Sequence, residues 1–219
     1  MLELAICHLP TYFGEELTRE ALAEKAYLLH PSLRDPILAR NHLPSVRQSL
    51  AGLLLLRYLV GGEAFEELGE RIVYDKNGRP CISDGSMDFN ISHQEDYAIC
   101  ALEHSVPAPR VGIDIQTYPK SRNVDQIAAR FFTRHEYDYY SSHYDTIHAF
   151  LRVWTRKEAL SKYFGDGMSD RFHKTDTLTA EQKYPIRFDE YKIGTDYLVT
   201  LCHHKSAVAP EQNDIKWMV

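Results

Sequence analysis

The chain has 219 residues, 44% hydrophobic and 26% charged, proportions of a globular protein with room for one large core or two small ones. Its net charge of −6 argues against bulk nucleic-acid binding, which needs a basic face. Cys7, Cys81, Cys100 and Cys202 are scattered with no Cys-x-x-Cys pair, so neither a disulfide framework nor a zinc site is expected. No apolar run nears the ~18 residues of a membrane span, and the first residues lack the basic lead of a signal peptide. The expectation is a cytoplasmic protein without membrane partners.

Leu2 to His8 reads as a strand, and residues 15 to 29 as a helix with Leu17, Leu22, Leu28 and Leu29 apolar. Residues 44 to 60 make the strongest helix, with Pro44 suited to its first turn and Gly61-Gly62 to its stop. Arg34, Arg40, Arg47 and Arg57 dot this region; solvated surface is the ordinary expectation for any one of them. Arg71 to Tyr74 is a short strand, Asp75-Lys76-Asn77-Gly78 a hairpin turn, and Arg79-Pro80 follows directly. Asp88 to Ser92 is a strand with Phe89 and Ile91 alternating, ending at Ser92-His93. Tyr97 to Leu102 reads as a buried strand, and Pro107-Ala108-Pro109 as a stiff break.

Beyond that break Val111, Ile113 and Ile115 alternate as on a half-buried strand. Gly112, Asp114 and Gln116 then face the other way. Gly112 leaves a gap where a ligand or another backbone can come close. Taken alone, Asp114 could equally be a solvated carboxylate at a strand end. A helix is expected over about residues 123 to 130, then a polar, tyrosine-rich segment, then a long amphipathic helix over 146 to 163. Ile147, Leu151 and Trp154 form its apolar stripe, and Glu158 continues it. A carboxylate there needs a partner or a cation. Lys162, at i+4, supplies one candidate; a plain exposed Glu–Lys pair would contribute only about 0.2–0.5 kcal/mol. Gly165-Asp166-Gly167 ends the helix, and the tail has strands near Ile186–Phe188 and Tyr197–Cys202.

Asp96 to Ser105 echoes Asp196 to Ser206 in sequence. The expected fold class is therefore α+β, with two similar subdomains at residues 1–107 and 108–219, and a site between them, where ligand pockets favour interfaces. Asp114 and Glu158 suit an oxygen-ligand cation such as Mg²⁺, which takes one or two carboxylates, waters and substrate phosphates. Lys157 and Lys162 are point charges suited to phosphate oxygens. Ser92-His93 can donate to a further phosphate, although a loop or core-edge histidine is the plainer reading of His93 alone. Together these groups suggest phosphate-transfer chemistry without naming a substrate.

The ordered set of motifs resembles the 4′-phosphopantetheinyl transferases of the larger, pseudo-dimeric type that activates peptide and polyketide synthases. Gly112-Ile113-Asp114, Phe131 to Glu136 and Trp154 to Lys162 carry the resemblance. Arg47 to Gly52, Gly78-Arg79-Pro80 and Phe89 to His93 add to it in the same order, and it covers about residues 30 to 205. The resemblance implies a pseudo-twofold α+β fold and holo-[acyl-carrier-protein] synthase activity: the 4′-phosphopantetheine group of coenzyme A passes to a serine of an apo acyl or peptidyl carrier protein, and adenosine 3′,5′-bisphosphate leaves. It implies that Asp114 and Glu158 bind the Mg²⁺ that holds the pyrophosphate. Gln116 stands where many members have a third acid, and coordinates weakly or through water.

The resemblance further implies that Arg79 and Pro80 line the adenine side. Ser92 and His93 contact phosphates including the 3′-phosphate, Lys157 and Lys162 the pyrophosphate, and Arg47 the 3′-phosphate. Leu33 and Pro36 stand where some relatives are basic, leaving Arg34 or Arg40 as substitutes. Glu158, or a metal-bound water, takes the serine proton, with Lys162 stabilising charge. Glu136 is a second candidate acid, set against a capping role near Thr133. The aromatic stretch Phe131 to Tyr144 is a docking rim for the carrier or ordinary helix packing. Two fused halves make a monomer sufficient. The competing readings are an Mg²⁺-dependent nucleotide phosphohydrolase and a non-catalytic coenzyme A or carrier-binding module.

Overall fold

A computed structural model describes residues 1–105, 108–118 and 123–219; the subdomain junction expected at residue 107 lies outside the described residues. The chain opens with β1 (Leu2–His8), then helices α1 (Leu9–Phe13), α2 (Arg19–Ala26), α3 (Pro31–Leu38), α4 (Leu43–Val60) and α5 (Gly62–Gly69). Two hairpins follow, β2 (Ile72–Tyr74) with β3 (Pro80–Ile82), and β4 (Asp88–Gln94) with β5 (Tyr97–Glu103). The pattern then repeats: β6 (Val111–Thr117), helices α6 (Val124–Phe131), α7 (Arg134–Ser142), α8 (Thr146–Phe164), α9 (Asp170–Lys174) and α10 (Ala180–Lys183), and a hairpin of β7 (Ile186–Ile193) and β8 (Tyr197–His204). A short β9 (Lys216–Met218) closes the chain.

One sheet has the order β4-β5-β1-β9 and another β6-β8-β7. Each half therefore has a first strand, a long helix and a hairpin whose second strand lies in the middle. The sequence echo is β5 and β8, the two middle strands. Tyr97 pairs with His8 at the end of β1, and Tyr197 with Thr117 at the end of β6; the two tyrosine rings meet at 4.8 Å. The halves are not separate in sequence, because β9 returns to run parallel to β1.

β1 is buried on both faces. Leu2, Leu4 and Ile6 join Ile113, Ile115, Val199 and Leu201 in an apolar layer shared by the two sheets. Ala5 and Cys7 face the opposite way, against Leu50, Leu54 and their neighbours on α4. Burial pushes the Cys7 thiol up to about 12, that of an inert small hydrophobe. Among the described residues no helix is long and apolar enough to cross a membrane.

Helix limits depart from the sequence expectation where local caps decide. The helix expected over 15–29 shortens to α2, because the Thr18 hydroxyl accepts from Ala21 N–H and starts it there. α3, begun by Pro31 and buried through Leu33 and Ile37, was masked in the sequence by its prolines. Gly61 does end α4, at φ 92°, but the chain turns at once into α5. The tyrosine-rich segment is itself helix α7, closed at its start by a Thr133–Glu136 capping box.

Candidate active site

The site is built on the free edge of β6. In an antiparallel strand the N–H and C=O of alternate residues point to the same side, and Val111, Ile113 and Ile115 present theirs away from β8. Among the described residues no strand pairs there. Instead three polar side chains of β4 reach across: Asp88 Oδ2 accepts from Val111 N at 2.8 Å, Asn90 Oδ1 from Ile113 N at 2.9 Å, and Ser92 Oγ from Ile115 N at 3.3 Å. A buried strand edge must find such partners. Phe89 points the other way into the first core. Asp88 and Asn90 were given no role in the sequence, where Asn90 entered only within the Phe89 to His93 motif; their alternation with Phe89 and Ile91 was the signal available.

Gly112 lets α8 lie on the opposite face of β6. A Cβ at Gly112 would stand 2.1 Å from Ala159 O and 2.4 Å from Tyr163 N, so the gap is filled by helix backbone and not by a ligand. This contact sets Glu158 and Lys162 over the strand. Asp114 is 2% exposed, and its Oδ1 accepts from Lys162 Nζ at 2.8 Å and from the Ser92 hydroxyl at 3.0 Å. Lys162 Nζ also donates to Ser92 Oγ at 2.9 Å and to Ile113 O at 3.0 Å. Gln116 Nε2 donates to Asp114 Oδ2 at 3.2 Å. Burial, and then the charge of Asp114, raise the pKa of the Glu158 carboxyl, against an opposing pull from Lys162. His93 stands at the rim; desolvation of its ring and then the charge of Lys162 push it below the usual histidine range. Asp114, Gln116, Glu158, Lys162, Ser92 and His93 thus converge, drawn from both halves of the chain.

Lys157, expected at the pyrophosphate, does not stand beside them. It lies five positions before Lys162, roughly 140° away around the helix. Its ammonium is buried against Glu136 Oε2 at 2.9 Å, Phe172 O at 2.8 Å and Thr175 O at 3.0 Å. Burial lowers its pKa while Glu136 pulls it back up. Glu136 also accepts from Thr133 N and from Thr177 N and Oγ1, so its place is the structural one of the two weighed.

Arg79, expected to line the adenine side, is buried. Its guanidinium donors go to Asp88, Phe89 O, Val111 O and Lys162 O. Pro80 stands half-buried at the start of β3. Arg47 reaches Asp96 Oδ1 at 3.4 Å and keeps a buried Nε with no partner among the described residues. Leu33 is a core residue, which leaves no place there for a basic contact. Arg34 lies over the Tyr27 ring and Arg40 binds Ser49. In the aromatic stretch, Phe132 and Tyr140 pack with Phe150 and Val153, and Phe131 with Trp154 and Phe172. These rings serve helix packing; Tyr144 is fully exposed.

The donor set fits a hard divalent cation. Two carboxylates, an amide and a hydroxyl offer oxygen, and no thiol intrudes. The like charges of Asp114 and Glu158 oppose each other where a cation would relieve them. Among the described residues no three His, Cys, Asp or Glu side chains converge as a complete metal site, so further positions would fall to water and substrate oxygens.

The sequence model of the 4′-phosphopantetheinyl transferase superfamily matches residues 110–210. A relative of that name from Nostoc sp. is 32% identical over 130 residues, 56% of this chain and 54% of that protein. A putative 4′-phosphopantetheinyl transferase of Haemophilus influenzae is 34% identical over 149 residues, 68% of this chain and 59% of that one. The chain thus spans little more than half of these two. A 4′-phosphopantetheinyl transferase of Bacillus pumilus is 30% identical over 183 residues, 76% of this chain and 75% of its own. With β6, α8 and the hairpin β7–β8 all inside the matched residues, the chain belongs to the 4′-phosphopantetheinyl transferase superfamily.

Proposed function

We propose that the chain transfers the 4′-phosphopantetheine group of coenzyme A to a serine of an apo acyl or peptidyl carrier protein, with Mg²⁺, and releases adenosine 3′,5′-bisphosphate. The observation that supports this most is the meeting of Asp114, Ser92, Glu158 and Lys162 across the two halves. Residues 1–107 would supply the nucleotide side and 108–219 the acids and the catalytic helix, so one chain suffices without an oligomer. Buried free thiols at Cys7, Cys100 and Cys202 suit a reducing, cytoplasmic setting.

Asp114 and Glu158 would hold the Mg²⁺, with Gln116 alongside, and the bound ion would offset charge on the pyrophosphate oxygens. Lys162 exchanges Asp114 for a pyrophosphate oxygen and stabilises the negative charge that grows there. Ser92 and His93 hold phosphate oxygens at the rim, and Arg47 reaches the 3′-phosphate. The carrier serine oxygen bonds to the β-phosphorus as the bond to the bridging oxygen breaks, and that oxygen leaves with the adenosine bisphosphate. Glu158, made more basic by burial and by Asp114, takes the serine proton.

The test incubates the protein with Mg²⁺, coenzyme A and an apo carrier protein and weighs the carrier. A carrier heavier by one phosphopantetheine supports the proposal. Coenzyme A cleaved without a carrier would select a phosphohydrolase, and binding without turnover a recognition module; either result overturns it.

A further inference from the structure

We infer that Arg79, together with Asp88, is a positioning residue that holds Lys162 and β6 in place across the two halves; this deepens the transferase reading and rests on it. The guanidinium makes a bidentate pair with Asp88, Nη1 to Oδ1 at 2.9 Å and Nη2 to Oδ2 at 2.7 Å. Nη2 also donates to Phe89 O at 3.2 Å and to Val111 O at 2.9 Å, and Nε to Lys162 O at 3.1 Å. Asp88 Oδ2 in turn accepts from Val111 N. One ion pair therefore satisfies both backbone groups of Val111, the first residue of the free strand edge.

The contact with Lys162 O matters most. The last four carbonyls of a helix lack intrahelical partners, and α8 ends at Phe164. Arg79 takes the carbonyl of Lys162, and Arg110 Nη1 takes that of Phe164 at 2.8 Å. Cations at a helix C-terminus also suit its dipole. Lys162 is thereby held at both ends: its carbonyl by Arg79, its ammonium by Asp114, Ser92 and Ile113 O. Releasing the carbonyl frees the last turn of α8 and moves the ammonium relative to Asp114. A misplacement of about 1 Å costs up to roughly 10²-fold in rate. Lysine cannot replace the fork, since its ammonium is a compact point charge whose three donors leave one atom and cannot span these acceptors.

The test compares Arg79→Lys, Asp88→Asn and the double variant at a temperature where each is folded by circular dichroism. Three quantities are read: kcat with an apo carrier, the affinity for coenzyme A by calorimetry without carrier, and amide hydrogen exchange at Val111 and Ile113. Each single variant is expected to lower kcat about tenfold or more, with coenzyme A affinity changed less than about threefold. The double variant should be no slower than the worse single one, as for two halves of one contact. Exchange at Val111 should accelerate in all three. The inference is overturned by weaker coenzyme A binding at unchanged kcat, by additive losses, or by lowered melting temperature with kcat and coenzyme A affinity both intact. If the unmodified protein fails to load a carrier, the transferase reading falls by itself. Exchange at Val111 still decides the clamp: acceleration supports it, and unchanged exchange overturns it.

Discussion

Helix α8 carries two lysine–carboxylate pairs of nearly the same geometry in different surroundings. Lys157 meets Glu136 at 2.9 Å with side chains 1% and 0% exposed, while Lys162 meets Asp114 at 2.8 Å with side chains 27% and 3% exposed. Each ammonium has three acceptors, which exhausts its donors. What differs is access. Lys157 is sealed under α9, its carbonyl partners coming from Phe172 and Thr175. Lys162 lies at the surface between the halves, where a ligand oxygen can replace a partner. Distance alone therefore does not tell the two pairs apart; solvent access does.

Breaking the sealed pair should cost the most stability. Lys157→Met leaves Glu136 buried without its cation, and urea unfolding should register a loss of about 3–5 kcal/mol. The double variant Glu136→Gln with Lys157→Met should recover most of it. Below its melting temperature the Lys157→Met protein should still load a carrier; a loss of turnover with the fold intact would restore Lys157 to the pyrophosphate.

Breaking the accessible pair should cost turnover instead. Lys162→Met and Asp114→Asn should each lower kcat by about 10²–10³-fold, with circular dichroism unchanged. Near-normal turnover in either variant would remove the Asp114 cluster from the chemistry. Gln116→Glu probes the same corner more gently. Adding a carboxylate beside Asp114 should keep turnover within about tenfold while changing the concentration of Mg²⁺ needed; total loss would count against an ion at Asp114.

The smallest effect lies on α7. His135 Nδ1 lies 2.7 Å from Asp176 Oδ2, and that hydrogen bond, then the charge of Asp176, raise the histidine's pKa. A raised histidine contributes stability below its unfolded pKa of ~6.5, and the contribution fades as pH rises through the folded value. The urea midpoint of His135→Gln should fall below that of the unmodified protein in mildly acid buffer and approach it in mildly alkaline buffer. A pH-independent difference would rule out this pairing in solution.

Much of the scaffold was legible in the sequence because its signals are local. Alternation marked Val111, Ile113 and Ile115 as strand, and the i+4 spacing put Glu158 and Lys162 on one helix face. The echo between Asp96–Ser105 and Asp196–Ser206 marked the two hairpins. Helical spacing also held the warning that Lys157 and Lys162 diverge around α8. Its destination was not legible, since Glu136, Phe172 and Thr175 lie on other segments. The short helices α3 and α5 were missed because proline and glycine look like breaks when only neighbours are read.

The sequence by itself determined the elements, their periodic faces and the inventory of acids, lysines and serine available to the site, because those depend on residues a few places apart. Tertiary structure alone decided which of the cations are spent. Arg79 and Lys157 vanish into the interior because buried strand edges, helix ends and carboxylates far away in the chain must be satisfied there. Lys162 remains within reach because α8, seated on Gly112, carries it to the margin between the halves.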